Sequence, residues 1–162
     1  MRDFKLKQRG FTLIELLVVI FIIGILATFL ISNLAGFRAR ARDARRKSDL
    51  QQIKSSLILY YSIYREYPES SLGQIVGCRE PVAACDWGKR WYRSENVFMK
   101  ELPNDPLNDP ADEESPTYYY EKIDVESFYL KATLENVSDK EIASSQARCQ
   151  RGVEAEYIIC QD

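Results

Sequence analysis

The 162-residue sequence contains no histidine. Histidine is the commonest general base near neutral pH and the central residue of the Ser-His-Asp triad. The sequence also has no glycine-rich phosphate loop and no G-x-S-x-G nucleophile elbow. Its carboxylates fall in an open loop or on predicted helix faces. These absences predict that the protein is not an enzyme.

Cysteine is scarce, with four residues in the chain. An even number of cysteines in a small domain indicates two disulfides and an oxidising compartment. Three connectivities are open, and the most local one joins Cys78 to Cys85 and Cys149 to Cys160. The six and ten intervening residues do not match the Cys-x2–4-Cys spacing of zinc sites.

Charge is almost absent between Phe11 and Ile31, where Glu15 is the single charged residue among 21. A helix of that length rises far enough to cross the hydrocarbon core of a bilayer, which predicts a transmembrane helix over residues 11–31. An ionised carboxylate within a membrane costs a few kcal/mol unless a cation lies beside it, so Glu15 is a candidate functional residue. The glycine at the boundary, Gly10, precedes the apolar run, whereas a secretory signal has small residues after it.

These residues resemble the type III signal of type IV prepilins and type II secretion pseudopilins. The resemblance is carried by the basic leader, Gly10, Phe11, the following Thr-Leu-Ile, Glu15 and the unbroken apolar run. It implies that a membrane-embedded prepilin peptidase removes residues 1–10 by cutting after Gly10, and that it methylates the new terminus at Phe11. It also implies that Glu15 meets the terminal amine, at Phe11, of a neighbouring subunit during filament assembly.

Further along, residues 67–73 resemble the tyrosine-proline corner of major pseudopilins, and residues 99–106 resemble their leucine-proline-x-aspartate-proline loop. Two departures stand out. Ser32 occupies the position of the family's common proline, so helix melting near Gly24 is not implied for this chain. The cysteine-bounded loop near the carboxyl end is similar to that of many type IV pilins and is not expected in major pseudopilins.

The chain is predicted to fold as an α+β pilin-like ladle, with a long amino-terminal helix packed on a small antiparallel sheet. Apolar residues recur at spacings of three and four, which predicts one helix from about Thr12 to Tyr64. The repeat consists of Leu34, Phe37, Ala41 and Ala44, and then Ile53, Leu57, Tyr60 or Tyr61, and Tyr64. Alternating aromatic and polar residues predict strands over 117–123 and 127–134, and a further strand over 153–160. The predicted divisions are a leader (1–10), a transmembrane helix (11–31), its amphipathic continuation (32–66) and an extracytoplasmic domain (67–162).

The loop over residues 104–116 is rich in proline and carboxylates. Oxygen-rich loops can hold calcium, and major pseudopilins are similar in having a calcium-binding loop, although their ligands lie further along the chain. The candidate ligands are Asp105, Asn108, Asp109 and Asp112. The spacing is not that of an EF-hand, and a solvated acidic loop without metal is the alternative.

Two features of the sequence disagree on which side of the membrane the domain after the apolar helix lies. Four basic residues precede the apolar run and six follow it soon after, which by the positive-inside rule favours a cytoplasmic domain. The cysteines and the processing signal favour a cytoplasmic leader and an extracytoplasmic domain, and we adopt that orientation. The expected location is the bacterial inner membrane for the single-pass precursor, and then a filament in the periplasm or at the cell surface.

The function predicted first is that of a structural subunit of a type IV pilus or a pseudopilus. The expected partners are other copies of the chain, other pilins or pseudopilins, the prepilin peptidase and an inner-membrane assembly platform. One alternative is a minor or competence-type pilin that binds DNA or a surface. Residues 50–162 carry 12 basic and 20 acidic residues, a net charge of −8 that would repel phosphate. The other alternative is a monomeric, signal-anchored domain.

Overall fold

The structure is a computed structural model that describes residues 11–78, 83–109, 111–112, 115 and 117–161, without the side chains of residues 29–35. The chain divides into two compact units, of which the first ends at Arg38 and the second begins at Ala39. The leader 1–10, with Gly10, lies outside the described residues.

Helix α1 (Leu13–Tyr64) extends over the range that the apolar spacing predicts. Thr12 caps its amino terminus, because the Thr12 hydroxyl oxygen accepts the Glu15 N–H while the Glu15 carboxylate accepts the Thr12 N–H at 2.9 Å. At the other end Arg65 adopts a left-handed conformation, and its N–H donates to the Tyr61 carbonyl. Pro68 follows shortly and cannot continue the helix.

The first unit exposes its apolar side chains, including Leu13 and Phe21. Among the residues that the structure describes, no helix combines the length and the apolarity that a membrane crossing requires. The predicted span over 11–31 includes residues 29–31, whose side chains lie outside the described set.

The second unit consists of the end of α1, three small antiparallel sheets and a short helix, which confirms the predicted α+β class. Two hairpins come first, and a three-stranded sheet of order β5-β6-β7 follows, with helix α2 between its last two strands. The elements are β1 (Ser70–Ser71), β2 (Gln74–Ile75), β3 (Trp91–Arg93), β4 (Asn96–Met99), β5 (Tyr119–Lys122), β6 (Phe128–Thr133), α2 (Lys140–Cys149) and β7 (Glu156–Gln161).

The core lies between the inner side of α1 and the sheets. Ile53, Leu57 and Tyr60 of α1 are buried, as the spacing predicts, and the Tyr60 ring contacts Trp91 and Phe98 with centroid separations of 5.8 and 5.0 Å. In the three-stranded sheet, the buried side chains of Tyr120, Leu130 and Ile159 lie opposite one another in register. This core fixes which side of α1 is turned away from the sheets.

Helix α2 covers the outer edge of β7. The Ser145 hydroxyl accepts the Ile158 N–H, and the Gln146 amide donates to the carbonyls of Val153 and Glu156. A disulfide joins Cys149 at the end of α2 to Cys160 in β7. A free edge strand is an open template for another strand, so α2 blocks pairing at this side of the sheet. The second disulfide joins Cys78 to Cys85, so the structure contains both local pairings.

Candidate functional site

The structure describes the predicted processing signal from Phe11 onwards, at the amino terminus of α1. Phe11 is exposed, and it borders a shallow concavity together with Ile14, Glu15 and two valines. The Glu15 carboxylate accepts hydrogen bonds from the N–H and the hydroxyl of Thr12, at 2.9 and 2.7 Å. Within the described part of the chain no cation pairs with Glu15. Among the described residues, the hydrogen bonds from Thr12 and the dipole of the helix amino terminus stabilise its charge.

The charged residues of α1 from Arg46 onwards are turned inward. Between Arg46 and Tyr64 the helix carries four charged side chains, and none of them is exposed: Arg46, Lys47, Asp49 and Lys54. Lys47 donates to Asp139 at 2.8 Å, and Lys54 donates to the Cys160 carbonyl at 3.2 Å. Asp49 accepts the Tyr118 hydroxyl at 2.7 Å. The charged side chains of this part of the helix thus bind partners within their own unit.

The outer side of α1 lacks the charged residues that an ordinary surface helix exposes to solvent. Its exposed residues from 44 to 63, apart from Arg45 at the edge, carry no charge. We call this set the uncharged face: Ala44, Ser48, Gln51, Gln52, Ser55, Ile58, Leu59, Ser62 and Ile63. The solvent side of a helix in a soluble protein normally holds charged residues, whereas depletion of charge is typical of the centre of a protein–protein interface. The uncharged face is therefore a candidate assembly surface.

The sequence pattern placed residues 37, 41 and 44 in the apolar repeat of the helix. In the structure Phe37, Ala41 and Ala44 are exposed. Periodicity alone identifies an apolar side of a helix, but it does not show whether that side is buried in the core of the same chain or exposed. The signal that could have found the uncharged face is the scarcity of charge from 48 to 63, where Asp49 and Lys54 are the only charged residues in the sequence.

A buried arginine holds α1 to two other segments of the second unit. We call Asp43, Arg46, Asp105 and Glu135 the Arg46 cluster. Arg46 is 1% exposed, and its guanidinium donates to both carboxylate oxygens of Asp105, at 2.7 and 2.9 Å. It also donates to Asp43 at 2.8 Å and to Glu135 at 2.9 Å. Asp43 in turn accepts the backbone N–H groups of Glu135 and Asn136, both at 2.9 Å.

The protonation equilibria of this cluster follow from its hydrogen bonds. Burial lowers the pKa of the Arg46 guanidinium, but the hydrogen bonds to Asp105 and Asp43 outweigh burial and leave the pKa raised. The hydrogen bonds from Arg42, opposed by partial burial and aided by Arg46, lower the pKa of Glu135 from 4.5 to about 2. Arg46 and Glu135 therefore both stay ionised at neutral pH.

Three of the four candidate calcium ligands have hydrogen-bond partners within the chain. Both oxygens of Asp105 bind Arg46, while the Asn108 amide donates to Ser115. The Asp109 carboxylate accepts the Ala111 N–H at 2.9 Å. The described residues contain no group of three or more acidic or cysteine side chains placed to hold a metal ion. A calcium site that includes Asp105 does not fit this arrangement, and calcium binding by the remaining residues stays a prediction.

Two family models match the chain. The prokaryotic N-terminal methylation motif matches residues 5–31, and the model for type II secretion system protein G matches residues 33–143. The chain is 36% identical over 126 residues to the type II secretion system core protein G of Aeromonas hydrophila, covering 78% of this chain and 85% of that protein. It is 35% identical to the core protein G of Dickeya chrysanthemi, over 75% of this chain and 77% of the relative. No solved structure matches the chain.

Replacing Arg46 with methionine should destabilise the second unit strongly. The variant leaves the buried carboxylates of Asp43 and Asp105 without their cation, and breaking a buried pair in this way costs about 3–5 kcal/mol. Denaturant unfolding of the full chain in detergent measures the change. Arg40→Met, at an exposed position, is the matched control and should lie within about 0.5 kcal/mol of the wild type. Equal stability of the two variants would contradict a structural role for the cluster.

The stability contributed by Glu135 should depend on pH. Because the folded-state pKa is depressed, this contribution is fully present above pH 4.5 and is lost as the pH falls towards about 2. Glu135→Gln removes the charge, so its difference in unfolding free energy from the wild type should shrink over that window and vanish near its lower limit. A difference that is constant across the window would show that the ion pairs do not stabilise the fold.

Proposed function

We propose, because the chain belongs to the type II secretion system protein G family, that it is a structural subunit of the pseudopilus filament of that system. The observation that carries the assembly step is the sidedness of α1. Its apolar first part is suited to packing among helices, and the uncharged face continues to Ile63 on the second unit. The role is mechanical: helices pack into a rod, and the second units form its outer surface.

The route into the filament begins at the inner membrane. The precursor is anchored there by the apolar helix, with the second unit outside the cytoplasm, where its two disulfides can form. A prepilin peptidase cuts after Gly10 and methylates Phe11, and an assembly platform then adds the mature subunit to a filament in the periplasm. Glu15 accepts the terminal amine of a neighbouring subunit, which supplies the cation that the described chain does not offer it.

The DNA-binding alternative is not favoured. It depends on the basic residues between Arg38 and Lys47, and four of these pair with acidic side chains of the same chain: Arg42 with Glu135, Arg45 with Asp49, Arg46 with Asp105 and Lys47 with Asp139. Paired cations release few counterions on meeting phosphate, so they contribute little to nucleic-acid affinity.

Intact mass of the protein from membranes that contain a prepilin peptidase tests the processing step. The expected mass corresponds to loss of residues 1–10 and gain of one methyl group at Phe11. Gly10→Val should abolish both changes, since the cleaved bond follows this glycine. An intact Met1 terminus in the presence of an active peptidase would mean a signal-anchored domain instead of a filament subunit.

A charge placed on the uncharged face should block assembly without unfolding the subunit. Ser55→Glu lies in the middle of this face, and burying its unpaired carboxylate between subunits is costly. Ala143→Glu adds the same charge at an exposed position of α2 and serves as the control. Both variants should keep the unfolding free energy within about 0.5 kcal/mol. Filament yield by electron microscopy should fall for Ser55→Glu alone, and equal yields would exclude the uncharged face as an assembly surface.

A further inference from the structure

The tip of the β1–β2 hairpin presents an apolar side chain entirely to solvent. Leu72 is 99% exposed, more than any other large hydrophobic residue that the structure describes. Single exposed apolar residues are common on protein surfaces and need no explanation. The conformation and the surroundings of Leu72 distinguish it from such residues.

Leu72 occupies a backbone conformation that leucine rarely adopts. Ser71 pairs with Gln74, so Leu72 and Gly73 form a two-residue loop, with φ angles of 49° and 80°. A loop with two positive φ values is a type I′ turn, for which Asn-Gly and Asp-Gly are the preferred sequences. Asparagine at position 72 would remove both the backbone strain and the exposed apolar surface. The leucine therefore serves something other than the stability of the isolated fold.

The turn that carries Leu72 is fixed to the sheet. The Gly73 carbonyl accepts the Tyr120 N–H at 2.8 Å, and the Ser70 hydroxyl accepts the Lys122 N–H at 3.2 Å. Gly73 also lies against the Tyr119 ring, where an added Cβ atom would come within 2.5 Å of a ring carbon. The hairpin is thus held on β5, and Leu72 is presented at a defined position.

A complementary surface lies at one end of the uncharged face. Ile58, Leu59 and Ile63, which we call the apolar patch, are 45–47% exposed. Leu59 and Ile63 are adjacent on the surface of the helix because they are four residues apart, and Ile58 lies beside Leu59 at the border of the patch. The apolar patch is continuous with the face that the proposed filament contact uses, and no charged residue lies between Ser55 and Tyr64 on α1.

We propose that in the filament Leu72 of one copy inserts into the apolar patch of a neighbouring copy. The inference rests on the proposed filament function and identifies one of its contacts. An open helical assembly requires a heterologous interface, in which two different surfaces of the same molecule meet. A fixed apolar knob and an exposed apolar patch form such a pair. The side chain of Leu72 buries almost no surface within its own chain, so the neighbouring copy is the partner that covers it.

Cysteine cross-linking in assembled filaments tests this contact. Leu72→Cys is combined in turn with Ile58→Cys, Leu59→Cys and Ile63→Cys in the full chain, and the filaments are oxidised and analysed under denaturing, non-reducing conditions. The native cysteines are all in disulfides, so only the introduced thiols react. A disulfide requires Cα atoms within about 7 Å. At least one pair should give a ladder of covalent oligomers, whereas each single variant and the control pair Val153→Cys with Leu59→Cys should not.

A second variant separates the contact from folding. Leu72→Asn should raise the unfolding temperature, because it suits the type I′ turn, yet it should lower filament yield at least about tenfold by removing the knob. Two results would overturn this inference alone, provided that the wild-type chain forms filaments. One is the absence of a ladder from all three cysteine pairs, and the other is a Leu72→Asn variant that assembles as well as the wild type. A ladder from Leu72→Cys with Tyr92→Cys would overturn the assignment of the apolar patch. No filament from the wild-type chain would overturn the proposed function and this inference with it.

Discussion

The buried guanidinium of Arg46 is the interaction on which the arrangement of the second unit depends. It joins three segments that are far apart in sequence: α1, the loop at Asp105 and the connection after β6 at Glu135. A carboxylate that is removed from water needs a cation or several donors, and the planar fork of arginine meets both oxygens of Asp105 at once. The cluster thus fixes the rotation of α1 about its own axis as well as its position.

That rotation explains the composition of the outer side of α1. With Arg46, Lys47, Asp49 and Lys54 all engaged inward, the residues that remain outside are small, amide-bearing or apolar. Such a surface is unremarkable between subunits but unusual in water. The fold needs the charged residues of α1 on its inner side, and the filament contact needs an uncharged outer side. One distribution of residues along α1 therefore serves both. This is why the family assignment and the geometry of the second unit lead to the same function.

Part of the fold and of the candidate site was predictable from the sequence. The long helix follows from apolar spacing, and β5, β6 and β7 overlap the strands predicted over 117–123, 127–134 and 153–160. Helix α2 was not predicted, because only Ile142 and Ser145 of its ten residues are buried and its stripe is too narrow to detect. The pairing of Arg46 with Asp105 spans 59 positions, and no local pattern reveals a contact of that range. For the same reason the sequence of the loop at 104–116 could not show that its first carboxylate, Asp105, binds Arg46. The choice between a long pilus and a secretion pseudopilus came from the family comparison.

A helical reconstruction by electron cryo-microscopy of filaments assembled from the wild-type chain tests the central claim most directly. The account predicts that the side chains from Ala44 to Ile63 on the uncharged face are covered by neighbouring subunits. It also predicts that Arg46 remains bound to Asp105 of its own subunit. A map in which this face is open to solvent, or in which Arg46 binds a carboxylate of another subunit, would contradict the account.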